Sequence, residues 1–323
     1  MPLIVQSSYK KPPFYLPNKH FETIIPALFR RIKDVHYQRE RIKTPDDDFL
    51  DLDWSKVTSK KLAVISHGLE GNSTRPYMKG MVRTFNSAGY DALAWNYRGC
   101  SEEMNKQKRF YHSGATDDLE VIIKHVSDQS YYDTIILVGF SLGGNITLKY
   151  LGEKGENVPK AIQRAIAFSV PLNLHTSCIK ISEPSNFLYS RRFLNNLKSK
   201  VIIKSRLMPT EFKINGLKKI KTIREFDEHY TAPLHGFQNA LHYYESCSSI
   251  NFLKGITIPS LIVNAENDPF LSLDCYPEDE LRSHPCVYFE KPKKGGHVGF
   301  SSGSDNGAYW SELRAVEFAE KAI

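Results

Sequence analysis

The chain has 323 residues, 41% hydrophobic and 24% charged, the composition of a globular protein able to bury a sizeable core. No run approaches the roughly 18 apolar residues of a membrane span, and the five cysteines show no C-x-x-C spacing that would frame a metal. The formal net charge is +7, yet residues 191–224 hold eleven Lys or Arg against the single acid Glu211, so this segment alone carries +10 and the remainder is slightly acidic.

The first eleven residues contain no apolar h-region, so no secretory signal is expected. An odd number of cysteines without an export signal suits free thiols in a reducing compartment, and the expected location is cytoplasmic. Residues 1–34 read as an irregular lead-in with a short helix over 20–32. Residues 35–42 and 49–54 alternate apolar and polar positions around Thr44-Pro45-Asp46-Asp47-Asp48, which predicts an antiparallel hairpin closed by a solvated turn. The three aspartates lack the spacing and closing glutamate of a calcium loop.

Residues 61–66 form a short apolar strand that ends in His67-Gly68, and Pro76 opens a helix to about Ser87. A strand over 90–97, a helix capped by Thr116 or Asp117, a strand over 135–139 with its helix, and a strand over 164–170 follow. Strands alternating with helices of this length predict βαβ crossovers and a parallel sheet, with the working loops at the carboxyl ends of the strands. From 172 to 230 the alternation stops and a basic, helical stretch interrupted by Pro184, Pro209 and Gly216 reads as an insertion over the strand ends. Residues 233–246 return as a helix, strands follow at 259–265 and 287–290, and an amphipathic helix over 308–322 closes the chain.

The stretch Gly139-Phe140-Ser141-Leu142-Gly143 lies between an apolar strand and a helix. A G-x-S-x-G turn of this kind forces the serine into a strained conformation, and the small residues on either side let strand and helix approach. The Oγ then projects beside a helix N-terminus, which favours developing negative charge. Two later strand ends supply partners: Asp268 before Pro269, with Glu266 as the nearest rival carboxylate, and His297 in Gly295-Gly296-His297. The chain order Ser, Asp, His is that of α/β-hydrolases. Ser141 is expected to attack an acyl carbonyl, His297 to take its proton, and Asp268 to fix the imidazole tautomer. The backbone N–H groups of Leu69 and Leu142 are expected to form the oxyanion hole, with His67 shaping the turn. A second arrangement, His112 and Asp117 at H-x-x-x-x-D spacing, is a possible secondary pair, although Asp117 also suits a helix cap.

Five motifs together resemble the YheT-like α/β-hydrolases: His67-Gly68-Leu69-Glu70-Gly71, Tyr97-Arg98-Gly99-Cys100-Ser101, Tyr111-His112-Ser113-Gly114, Gly139-Phe140-Ser141-Leu142-Gly143-Gly144-Asn145 and Thr231-Ala232-Pro233-Leu234-His235-Gly236-Phe237. The resemblance runs from about Phe14 to the C-terminus. It implies a triad on Ser141, Asp268 and His297, the H-x-x-x-x-D element on His112 and Asp117, and carboxylester hydrolysis or acyl transfer to an alcohol. One departure is Glu102-Glu103, where the family usually has a small residue after Arg-Gly-Cys-Ser. Animal members carry an N-terminal membrane anchor that is not read in this chain.

The expected fold is therefore a single α/β-hydrolase domain over 1–323, with a mostly parallel eight-stranded sheet flanked by helices and a helical lid at 172–230. The expected function is a serine carboxylesterase acting on short- or medium-chain acyl esters without metal or organic cofactor. The alternatives are an acyltransferase that moves a medium-chain acyl group to an alcohol, and a non-catalytic ligand-binding protein. No nucleic-acid motif accompanies the basic segment. Residues 191–224 are instead a candidate for peripheral contact with an anionic membrane surface.

Overall fold

The computed structural model describes residues 3–212, 214–302 and 307–321. Lys213 of the basic segment and Ala322 of the expected last helix lie outside the described residues. Nine strands join into one sheet in the order β1-β9-β8-β7-β6-β4-β5-β3-β2. The central run is β4 (Lys61–Ser66), β5 (Asp91–Asn96), β6 (Thr134–Phe140), β7 (Ile162–Phe168), β8 (Ser260–Val263) and β9 (Val287–Glu290), and every pairing within it is parallel. These strands are short runs of Val, Ile, Leu and Ala because both of their faces are covered. Ile135, Leu137 and Val64 pack on one side of the sheet and Ile136, Val138 and Ile65 on the other. Each such side chain contributes about 1.5–3 kcal/mol by leaving water.

At one edge, β2 (Gln38–Lys43) and β3 (Phe49–Ser55) form the expected antiparallel hairpin, with β3 also antiparallel to β5. At the other edge, β1 (Leu3–Ile4) pairs parallel with β9. The sheet thus has one strand more than the eight expected, because two residues are too few to show a periodicity.

The turn between β2 and β3 is not the solvated loop expected. Asp48 is buried, and Arg98, itself buried, donates to Asp46, Asp48 and Asp118 at 2.8–2.9 Å. The same hairpin places Asp51 and Asp53, both buried, against Arg41 and Arg39. A buried carboxylate without a cation is costly, so the aspartate run is read here as half of a long-range ion cluster.

Helices α1 (Lys19–Phe29), α2 (Pro76–Ser87), α3 (Thr116–Asp128) and α4 (Leu142–Lys154) alternate with the strands. The cap expected for α3 is absent: Thr116 Oγ1 donates to Glu153 at 2.7 Å, Asp117 pairs with Arg109, and Ala115 precedes the helix. After β7 come α5 (Leu174–Ile181), α6 (Phe187–Leu207), α7 (Ile223–Phe226), α8 (Ala232–Leu234) and α9 (Ala240–Cys247). The single helix expected over 233–246 is broken, because Gly236 takes φ +78° and Asn239 starts α9 by accepting from the His242 N–H at 2.9 Å. Helix α10 (Glu278–Leu281) precedes β9, and α11 (Trp310–Glu320) closes the described chain.

Two of the basic side chains of residues 191–224 turn inward from α6. Lys204 is fully buried and donates to the carbonyls of Asn105 and Gln107, and Lys200 pairs with Glu70. No helix of the described residues is long and apolar enough to cross a membrane.

Candidate active site

The strand-turn-helix around Ser141 shows why the motif needs its glycines. Ser141 sits at φ 53°, ψ −118°, a conformation that costs about 1–3 kcal/mol and is held by the packing of β6 against α4. A Cβ at Gly139 would lie 2.5 Å from the Gly143 carbonyl oxygen, and one at Gly143 would lie 2.4 Å from that of Ser66. Only hydrogen fits at either position.

The ends of β8 and β9 bring two side chains to this serine. His297 Nε2 lies 3.0 Å from Ser141 Oγ. His297 Nδ1 lies 2.8 Å from Asp268 Oδ2 and 3.1 Å from Oδ1. The Asp268 carboxylate is fully buried and also accepts from the Phe270 N–H at 2.9 Å. With Nδ1–H donating to the carboxylate, Nε2 is left free to accept from the serine hydroxyl. The rival Glu266 is half-exposed and faces Lys291 at 3.5 Å.

The N–H groups expected to face an oxyanion are both available. Leu142 is the first residue of α4, so its N–H has no partner within the helix. In the turn after β4, Gly68 N–H donates to Tyr77 Oη at 3.0 Å, Glu70 N–H to Tyr111 Oη at 2.9 Å, and Gly71 N–H to the Gly68 carbonyl at 3.0 Å. The Leu69 N–H has no hydrogen-bond partner among the described residues. His67 shapes this turn: its Nδ1 donates to the Gly68 carbonyl at 2.8 Å and its Nε2 accepts from the Tyr97 N–H at 3.3 Å. Burial pushes the His67 pKa down to about 3, so the ring is neutral and keeps this tautomer.

His112 and Asp117 are not brought together. Asp117 points outward to Arg109 at 2.6 Å. His112 Nδ1 accepts from the Gly114 N–H at 3.2 Å, and its ring lies 4.6 Å from that of His235. Burial, with His235 beside it, pushes the His112 pKa well below its ordinary value. Glu102 and Glu103 face Arg39 and Arg41, and neither lines a cavity next to Ser141.

Two cavities meet at the serine. The larger, about 350 Å³, lies between α1, α2 and α6 and is lined by Ile24, Leu28, Tyr77 and Leu188 among others. The smaller, about 130 Å³, runs under α5 and α9 and is lined by Leu174, Ile181, Ile223 and Tyr243. Ser141, His297, Leu69, Phe193 and Phe270 line both. Among the described residues, no group of three or more His, Cys, Asp or Glu is placed to hold a metal ion.

The residues behind His297 are not legible from sequence. The loop 295–299 lies flat on α1: Gly295 N–H donates to Glu22 Oε2 at 2.6 Å and His297 N–H to Thr23 Oγ1 at 2.9 Å. Asn267 bridges the two, giving its amide to Glu22 at 3.2 Å and accepting from the Gly296 N–H at 3.0 Å. A Cβ at Gly296 would lie 2.8 Å from Thr23 Oγ1. A buried glutamate in the first turn of an amphipathic helix reads as an ordinary N-terminal acid, and nothing local marks its distant partner.

The family profile described as alpha/beta hydrolase fold matches residues 64–304. The chain is 35% identical over 294 residues to the Escherichia coli (strain K12) protein named "Putative esterase YheT", covering 89% of this chain and 85% of that one. It is 28% identical over 312 residues to "Phospholipase ABHD3" of Mus musculus, covering 94% of this chain and 75% of that one. Among solved structures, the Pyrococcus furiosus esterase Pf2001 superposes with a TM-score of 0.59 at 17% identity, covering 91% of this chain and 97% of that one, a likeness of fold. The chain belongs to the α/β-hydrolase fold family and, within it, to the relatives of YheT.

Proposed function

We propose that the protein is a carboxylic ester hydrolase that works through an acyl-enzyme on Ser141. The observation that carries this reading is the hydrogen-bonded line from Ser141 Oγ through His297 to buried Asp268. The relatives' names, an esterase and a phospholipase, support the same class. In the first step His297 Nε2 takes the hydroxyl proton as Oγ attacks the acyl carbonyl. Asp268 holds the ring and stabilises the imidazolium without taking the proton. The N–H groups of Leu69 and Leu142 receive the oxyanion, each worth about 2.7–4 kcal/mol in the transition state. His297 then protonates the departing alcohol, and a water activated by the same nitrogen releases the acid.

The cavities support short- or medium-chain acyl esters. An apolar cavity of about 150 Å³ accepts benzene, so the smaller pocket, about 130 Å³, suits a chain of about that bulk. The larger pocket holds the other half of the ester. We read residues 172–230 as a cap over both. All five cysteines are unpaired, which suits a reducing compartment such as the cytoplasm. The outward face of α6 carries Arg191 and Arg206 beside the exposed Ile202, Ile203 and Leu207, which supports contact with an anionic lipid surface.

The test is a panel of p-nitrophenyl esters of graded acyl length, with and without added ethanol, on the wild type and Ser141→Ala. The expected result is turnover favouring short chains and a loss of at least about 10⁴-fold in kcat for the variant. Full activity in Ser141→Ala overturns the reading. An ethyl ester as main product turns it toward acyl transfer.

A further inference from the structure

The turn after β4 carries an energetic debt. Glu70 stands at φ +52°, a left-handed backbone that a non-glycine residue keeps only where its surroundings hold it. The Glu70 N–H donates to Tyr111 Oη at 2.9 Å, Tyr111 Oη donates back to Glu70 Oε1 at 2.7 Å, and Arg75 Nη2 donates to the Glu70 carbonyl at 3.1 Å. The remaining partner comes from a distant part of the chain. Lys200, on α6, donates from Nζ to Glu70 Oε1 at 2.7 Å and lies 3.0 Å from the Sγ of buried Cys100. The two side chains are 13% and 5% exposed, so the pair works in a medium where charges interact strongly. Lys200 lines neither cavity at the serine, while Glu70 lines the larger.

We propose that Lys200 and Glu70 are positioning residues that fasten the Leu69 N–H to α6, so that the helix over the pockets and the oxyanion donor keep one relative placement. The proposal rests on the ester-hydrolase reading. Leu69 is held between Gly68, fixed by Tyr77, and Glu70, fixed by Tyr111 and Lys200. Its own N–H has no other role among the described residues. Loss of one oxyanion donor typically lowers kcat about 10²–10³-fold, and a displacement of about 1 Å costs about 10²-fold. Loosening the turn without removing the donor therefore costs roughly tenfold or more, in kcat rather than in KM.

The experiment compares wild type, Ser141→Ala, Lys200→Met and Lys200→Arg on p-nitrophenyl butyrate, together with inhibition by phenylboronic acid, which forms a tetrahedral adduct on a serine. Because removing one partner of a buried ion pair destabilises the fold, the double variant Lys200→Met/Glu70→Gln, a neutral pair of similar volume, is measured alongside. The expected result for Lys200→Met and for the double variant is a kcat lowered roughly tenfold or more with boronate inhibition weakened in step, and for Lys200→Met, which leaves the pocket lining intact, a KM within about twofold of wild type. Lys200→Arg, which keeps the ion pair, recovers most of the loss. A folded Lys200→Met or double variant with wild-type kcat and boronate affinity overturns the proposal while the hydrolase reading stands. Absence of ester turnover in the wild type, or its persistence in Ser141→Ala, overturns both.

Discussion

Replacing Glu22 by alanine is expected to damage the site from a position outside the line of Ser141, His297 and Asp268. Glu22 is 1% exposed, and its carboxylate accepts from the Gly295 N–H at 2.6 Å and from the Asn267 amide at 3.2 Å to each oxygen. Alanine leaves the buried Gly295 N–H and the part-buried Asn267 amide without an acceptor, at about 1–3 kcal/mol each, so the total loss of stability is about 2–6 kcal/mol. The effect on activity is separate. Gly295 begins the loop whose third residue is His297, and Asn267 also holds the Gly296 N–H. A loop freed by about 1 Å moves Nε2 out of line with Ser141 Oγ and lowers kcat about 10²-fold. Glu22→Gln keeps one acceptor and loses less in both respects. Urea unfolding followed by tryptophan fluorescence, with kcat on p-nitrophenyl butyrate, measures the two effects side by side. If Glu22→Ala stays within about 0.5 kcal/mol of the wild type and keeps its kcat, the account of the histidine loop is wrong.

Asp227 supplies a pH-dependent prediction. Its buried carboxyl accepts from Thr231 Oγ1 at 2.5 Å and Tyr244 Oη at 2.7 Å with no cation paired to it among the described residues, and burial pushes its pKa from 3.8 up to about 6. The folded state therefore holds this proton to higher pH than the unfolded chain. The associated stability is complete below pH 3.8 and is lost as pH rises through about 6. At roughly 1.4 kcal/mol per pH unit this amounts to about 3 kcal/mol in full, so Asp227→Asn should gain about 2 kcal/mol on the wild type between pH 4 and pH 7 in urea titrations at each pH. A difference that does not vary with pH refutes this. Binding to vesicles containing phosphatidylserine should fall with added salt and fall again in Arg191→Glu/Arg206→Glu, at about 1 kcal/mol per cation; binding indifferent to anionic lipid removes the proposed contact.

What was legible in the sequence is what short-range patterning can carry. The strands of the central sheet appear as runs of Val, Ile, Leu and Ala, and the turn at Ser141 appears as glycines at fixed offsets, because burial on both faces and close approach act on neighbours. The long-range ion pairs left no such trace. Asp46 and Asp48 look like a solvated turn until Arg98, some fifty positions later, is folded onto them. The basic segment is a related case. Charge counted along the chain ignores the side of the helix on which it falls, and Lys200 and Lys204, four residues apart on α6, share the inward face with Val201. β1 and the hold of α1 on His297 also depend on residues nearly the whole chain apart, which no local pattern reports.

That last arrangement has a consequence for how the protein is made. The elbow at Ser141 can form when about half the chain has been synthesised, but the histidine loop and its seat on α1 come from opposite ends of the sequence. Until residue 297 has been made, a growing chain therefore holds Ser141 without the imidazole that lies 3.0 Å from it in the folded protein.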